Sequence, residues 1–154
     1  MSNSKFDKEF QKGLAFREKG KYRDALKSLK KAMDIDDKNP EVWFQFAEIM
    51  TILGKDIEAM KFYWLIKGTP GKEGLDPDNI NAWINEANIL MKHELYKEAG
   101  KVYEAMLERF PDNIIAVRGK EEASYELANV KYCTSCGKRL GKNEKFCLKC
   151  GKSI

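Results

Sequence analysis

Small apolar residues return at a fixed interval through the first two thirds of the chain, each set among charged and polar neighbours. Gly20-Lys21-Tyr22-Arg23-Asp24-Ala25 aligns with Gly54-Lys55-Asp56-Ile57-Glu58-Ala59 and with Glu94-Leu95-Tyr96-Lys97-Glu98-Ala99. Ala25 and Ala59 are 34 positions apart and Ala59 and Ala99 are 40 apart, whereas Asn39 to Asn79 is 40 and Asn79 to Asn113 is 34. One event explains both irregularities: six extra residues between Ala59 and Asn79, accommodated in the glycine- and proline-rich stretch 68–74, where a helix already has to end. The intervening segments are rich in Ala, Leu, Lys, Glu and Met, and proline occurs only at positions 40, 70, 77 and 111. This composition predicts helices, and a repeat of 34 residues accommodates two helices and a turn. Ser4 followed three residues later by Asp7 predicts a capping box at the start of the first helix. Beyond Asn113 the pattern stays helical over 114–128, with Ile114, Val117, Tyr125 and Leu127 available to face a neighbour and close the open end of the array.

The period and these residues resemble the tetratricopeptide repeat. Repeat one spans about 6–39, with Gly13, Phe16, Tyr22, Ala25 and Ala32 at signature sites. Repeat two spans 40–79, with Trp43, Phe46, Ala47, Ala59, Tyr63 and Pro77. Repeat three spans 80–113, with Trp83, Ala87, Leu90, Tyr96, Ala99, Tyr103 and Pro111. Glu9 and Lys12 depart from the usual tryptophan and leucine, as suits a terminal repeat with no preceding neighbour. Asp56 replaces a tyrosine and suits a helix N-cap. The resemblance implies an all-α helical-hairpin solenoid of about three repeats with a capping helix. Its small residues let helices approach and its large aromatics fill the space between repeats.

The only four cysteines lie in the last 22 residues, as Cys133-Thr134-Ser135-Cys136-Gly137 and Cys147-Leu148-Lys149-Cys150-Gly151. Each Cys-x-x-Cys turn lets two thiolates reach one ion, and the following glycine accepts the positive φ that keeps backbone amides near sulfur. A redox dithiol needs one such motif rather than two, and disulfides suit a secreted chain. The polar start Met1–Asp7 has no apolar run suited to a signal peptide or a membrane span, so a cytoplasmic setting with reduced thiols is expected. Zinc is favoured over iron in the same thiolate cage. Only Tyr132, Leu140, Phe146, Leu148 and Ile154 are sizeable apolar residues after Lys131, too few to order the segment without a metal. The tail resembles the short zinc ribbon, in which two knuckles flank a small β-hairpin. This implies one structural Zn2+ held by Cys133, Cys136, Cys147 and Cys150, in a ribbon at 131–154 following a repeat domain at 1–130. Four protein thiolates leave no open position for activating water.

Charge sharpens this division. Residues from Lys131 onward carry seven Lys or Arg and one acid, Glu144, for +6, against −2 for the remainder. A four-thiolate zinc centre subtracts two units from the tail. Gly71-Lys72 is no phosphate loop, because Ile66 stands where the first glycine belongs and Glu73 where Ser or Thr belongs. His93 is the single histidine, no nucleophile–base set is assembled, and an enzyme is not expected.

The family resemblance implies a concave groove along the first helix of each repeat, where peptides bind. It projects Phe10, Leu14 and Arg17, then Phe44, Glu48 and Thr51, then Ile84, Asn88 and Met91 onto that surface, giving an apolar floor with Arg17 and Glu48 setting orientation. Chaperone-tail-binding members clamp a terminal carboxylate with lysine, asparagine and arginine. Here Phe10 and Leu14 occupy the start of that set and Ile84 replaces a basic residue. The expected function is a non-catalytic scaffold for a protein or peptide partner, with the ribbon as second docking module. The alternative is a nucleic-acid adaptor acting through the basic ribbon, and self-association through exposed aromatics is also open.

Overall fold

A computed structural model describes residues 4–154; the first three residues of the polar N-terminal stretch lie outside them. Seven α-helices are present among the described residues: α1 (Lys5–Glu18), α2 (Tyr22–Ile35), α3 (Pro40–Ile52), α4 (Asp56–Lys67), α5 (Ile80–Lys92), α6 (Tyr96–Arg109) and α7 (Ile114–Ala128). Two very short antiparallel pairs interrupt or follow them, β1 (Gly68–Thr69) with β2 (Lys72–Glu73), and β3 (Lys131–Tyr132) with β4 (Arg139–Leu140). Packing divides the chain between Lys92 and His93 into two compact units. The division falls inside the third expected repeat and places the cysteine-rich segment in one unit with α6 and α7.

Local signals define the helix ends. Ser4 accepts from the Asp7 amide while the Asp7 carboxylate accepts from the Ser4 amide, the expected capping box. The periodic asparagines act as caps: Asn39 accepts from Glu41 and Val42, Asn79 from Ala82, and Asn113 from Ala116. Each repeat tryptophan ties its helix to the preceding turn, since the Trp43 indole donates to Asp37 O at 2.8 Å and the Trp83 indole to Pro77 O at 2.9 Å.

In the first unit α1 packs on α2, α2 on α3, α3 on α4 and α4 on α5. Two apolar clusters fill it. Ala25, Leu29, Ala32, Met33, Val42 and Ile49 form one, and Phe44, Ala47, Ala59, Tyr63, Ile66, Ala82 and Ile89 the other. The small periodic residues are all buried, as close helix approach requires. A Cβ added at Gly13 would lie 2.8 Å from the Leu29 side chain, so α1 and α2 meet at a point that admits only hydrogen.

The six-residue insertion is a hairpin rather than a plain loop, with Gly68 paired to Glu73 and Thr69 to Lys72. Just before it Lys67 is buried with Glu86, Nζ to Oε2 2.9 Å. Lys67 also lies 4.1 Å from the Trp83 ring centroid, and the Trp64 indole donates to Glu86 Oε1 at 2.6 Å. These four side chains join the end of α4 to α5 by a desolvated ion pair wrapped in aromatic rings.

In the second unit α7 packs on α6, but with a different face from the one expected. Ala116, Gly119 and Ala123 are buried, while Ile114, Ile115, Val117, Tyr125 and Leu127 stand exposed. The reason is Tyr103: its ring lies where a Cβ at Gly119 would stand 2.3 Å away, so the contact requires the small side of α7.

A four-thiolate centre and a polar groove

Each knuckle of the ribbon is closed by the same two main-chain bonds. Cys133 N donates to Lys138 O at 2.8 Å and Gly137 N to Cys133 O at 2.8 Å; Cys147 N donates to Lys152 O at 2.7 Å and Gly151 N to Cys147 O at 2.7 Å. Gly137 has φ 71° and Gly151 φ 73°, the left-handed conformation that the Cys-x-x-Cys-Gly spelling calls for. The β3–β4 pair brackets the first knuckle and a single bridge between Phe146 and Ser153 brackets the second. Each knuckle is therefore the tip of its own miniature hairpin, a departure from the arrangement in which two knuckles flank one hairpin.

The four sulfurs lie within 4.8 Å of one another, with Cys133 to Cys150 at 3.6 Å and Cys136 to Cys147 at 3.5 Å. Disulfide sulfurs stand at ~2.0 Å, whereas four thiolates around one zinc at ~2.3 Å are separated by ~3.8 Å. The donor set and its spacing fit one tetrahedral ion.

Electrostatics agree with metal-ligating thiolates. The Cys136 and Ser135 backbone amides lower the Cys133 thiol to about 6, and the Cys150 and Lys149 amides lower that of Cys147. For Cys136 the Lys138 amide pulls downward, but burial and the neighbouring sulfurs of Cys147, Cys150 and Cys133 outweigh it and raise the thiol to about 11. Crowded sulfurs cannot all ionise without a cation among them.

Of the ribbon's larger apolar residues only Leu140 is buried, beside Cys133 and Cys147. Tyr132, Phe146, Leu148 and Ile154 are 59%, 55%, 69% and 54% exposed. Hydrophobic burial therefore holds this segment even less than its composition suggested.

In the first unit a cavity of about 250 Å³ is lined from the first helix of three successive hairpins: Arg17 of α1, Glu48, Thr51 and Ile52 of α3, and Asn85, Asn88, Ile89 and Lys92 of α5, with Asp56 and Tyr63 of α4 beneath. Most of its charged and polar groups are mutually engaged. Arg17 pairs with Glu48 at 2.8 Å and donates to Gln45, and Lys92 pairs with Asp56 at 2.7 Å. The fully buried Tyr63 places its hydroxyl 3.2 Å from both Thr51 Oγ1 and Asn85 Nδ2. Burial raises its pKa, so the phenol stays protonated as a donor.

Of the residues projected onto the groove, Arg17, Glu48, Thr51 and Asn88 meet at this cavity. Phe44 is 8% exposed and packs in the core, its ring 6.2 Å from Tyr63. Phe10 stacks on Phe6 at 5.7 Å against the first cluster. Leu14, Ile84 and Met91 are half-buried outside the cavity lining. The floor is accordingly more polar than the projection implied. Asp56 does not cap α4, whose N-cap is Lys55; it is 5% exposed and meets Lys92. The departure from tyrosine at this position was visible in the sequence, but its partner, 36 residues away, was not.

Hairpins of paired helices with small residues at their contacts, followed by a double thiolate knuckle, define a repeat-type helical protein with a metal-binding tail. Comparison gives these parts their families. A tetratricopeptide-repeat model matches residues 13–51 and a zinc-ribbon model matches residues 132–154, so the chain joins a tetratricopeptide-repeat segment to a zinc-ribbon domain. No curated protein matches the chain. Among solved structures, the first repeat domain of Spaghetti (RPAP3) bound to the HSP90 peptide SRMEEVD is 26% identical. The match covers 83% of this chain and 97% of that one, at a TM-score of 0.66. The first repeat domain of human RPAP3 is 27% identical, covering 78% and 90% at 0.61. The Sgt2 repeat domain from Aspergillus fumigatus, 20% identical and covering 82% and 81% at 0.62, shares the fold.

Proposed function

We propose that the protein is a non-catalytic adaptor that holds a peptide of a protein partner against α1, α3 and α5, with the zinc ribbon as a second docking module. The observation that carries this reading is the cavity built by the first helices of three successive hairpins. Support comes from the Spaghetti repeat domain, a structural relative bound to a peptide. Because Arg17 is matched by Glu48 and Lys92 by Asp56, the groove offers little excess charge to a terminal carboxylate. It suits a polar segment that competes for these pairs and for the Asn88 amide. In this reading the repeat domain extends over 1–130, the zinc is structural, and the adaptor works in the cytoplasm.

The test is affinity capture with the intact protein and with Asn88→Glu combined with Ile52→Glu, two exposed positions of the lining rather than of the core. Loss of a partner with unchanged helical signal supports the groove; undiminished recovery overturns it.

A second reading, nucleic-acid binding by the ribbon, is favoured by the exposure of Tyr132 and Phe146 beside exposed Lys131 and Lys145. Such rings can stack on bases while lysines meet phosphates. Binding of single-stranded oligonucleotide should fall steeply with salt and be lost when Phe146 becomes Ala and Lys145 and Lys149 become Gln. Salt-insensitive or undetectable binding rejects it.

A further inference from the structure

Two of the ribbon's basic residues reach back to the helical part of the same compact unit while their side chains stay 37% and 63% exposed. Arg139 donates from Nη1 to the Glu94 carbonyl at 3.1 Å, sets Nη2 3.4 Å from Glu94 Oε2, and lies 5.6 Å from the Tyr96 ring centroid. Three residues later Lys142 Nζ meets Glu126 Oε2 on α7 at 2.7 Å. A cavity of about 310 Å³ lies among these residues, lined also by Tyr125, Asn129 and Lys131.

Glu94 is the only non-glycine residue with positive φ among the described residues, at 58°. It occupies the turn before α6. Glycine fills the corresponding position before α2 and before α4, with φ 68° at Gly20 and 74° at Gly54. A residue with a Cβ is disfavoured there and persists only where its surroundings hold it. Here one guanidinium holds both the carbonyl and the carboxylate of the strained residue. The guanidinium is itself placed by metal-centre architecture, because Arg139 directly follows Lys138, whose carbonyl closes the Cys133 knuckle.

We propose that the metal-closed ribbon is a latch: occupation of the four-thiolate site positions Arg139 to hold Glu94 in its left-handed turn, and loss of the metal releases the first turn of α6. The ribbon is then a metal-responsive element as well as a docking surface. This inference does not depend on a partner in the groove.

Hydrogen exchange on the full chain tests it, with zinc bound and after chelation, in the native sequence, Arg139→Ala and Glu94→Gly. Amides of residues 99–101, whose bonds to the carbonyls of 95–97 make the first turn of α6, should exchange about five- to tenfold faster on chelation, and equally so in zinc-loaded Arg139→Ala, while amides in the middle of α7 keep their protection. In Glu94→Gly chelation should change the same amides by less than about twofold, since glycine adopts the turn unaided. Unchanged exchange at 99–101 in both chelated protein and Arg139→Ala overturns the latch. Equal acceleration throughout α6 and α7 also overturns it, by making the metal a general determinant of folding in this unit.

Discussion

Residues 4–92 and residues 131–154 are ordered by different physics. In the first, apolar residues from all five helices pack into two clusters, and alanines at a regular interval bring the helices together around Leu29, Ile49, Tyr63 and Ile66. In the second, the interior consists of Leu140 and the cysteines themselves, and four of five large apolar side chains remain outside. The contrast shows that repeated knuckle geometry replaces a core where the chain is too short to build one, provided an ion supplies the free energy that burial does not.

The most disruptive test of that contrast is metal removal. Chelation or Cys147→Ser should abolish ordered structure in 131–154, removing ~10–16 kcal/mol of metal-linked stabilisation, while far-ultraviolet dichroism at 222 nm changes little. Elemental analysis should find one zinc per chain. Acid should act in the same sense. Cys133 is depressed to about 6 from the usual thiol value near 9, so its contribution is fully present above about 9 and is lost as pH falls through about 6. Protons compete with the metal for the same sulfurs, and a zinc-release titration should show retention at pH 8 and progressive release on acidification.

Within the helical unit the largest effect is expected from Glu86→Ala, which strands the buried Lys67 ammonium and should cost about 3–5 kcal/mol in urea unfolding. Glu86→Leu combined with Lys67→Met should recover most of that loss, because two apolar groups need no mutual neutralisation. Leu29→Ala, opening a cavity opposite Gly13, should cost about 2–5 kcal/mol by the same measurement and leave zinc content unchanged. A fall in zinc content in that variant would show that the two orders are not independent. Smallest is Tyr63→Phe, which removes hydrogen bonds to Thr51 and Asn85 and should cost about 1 kcal/mol.

Legibility followed sequence distance. The 34-residue interval was readable because each alanine marks a helix contact that recurs, and Asn39, Asn79 and Asn113 because capping is decided within three residues. The metal ligands were readable because a knuckle encodes its own turn. Asp56 was misread as a cap because the lysine it meets arrives from another helix, and the outward placement of Ile114 and Val117 was hidden because the opposite face of α7 meets Tyr103. Phe44 and Arg17 sit on the same expected surface in the repeat pattern, yet one is core and the other lines a cavity. Partners on other helices decide it, Tyr63 of α4 for Phe44 and Glu48 of α3 for Arg17, and no local pattern carries them.

The linear chain by itself determined the helical pairs, their caps, the site of the insertion and the four sulfur ligands, since each depends on residues within about one turn or on a repeated interval. Tertiary structure alone decided which charges were buried together, which face of α7 turned inward, and that Arg139 would hold the one left-handed glutamate. Those outcomes depend on side chains brought together from 19 and 45 positions apart in two of the three cases, and on the shape of a facing helix in the third.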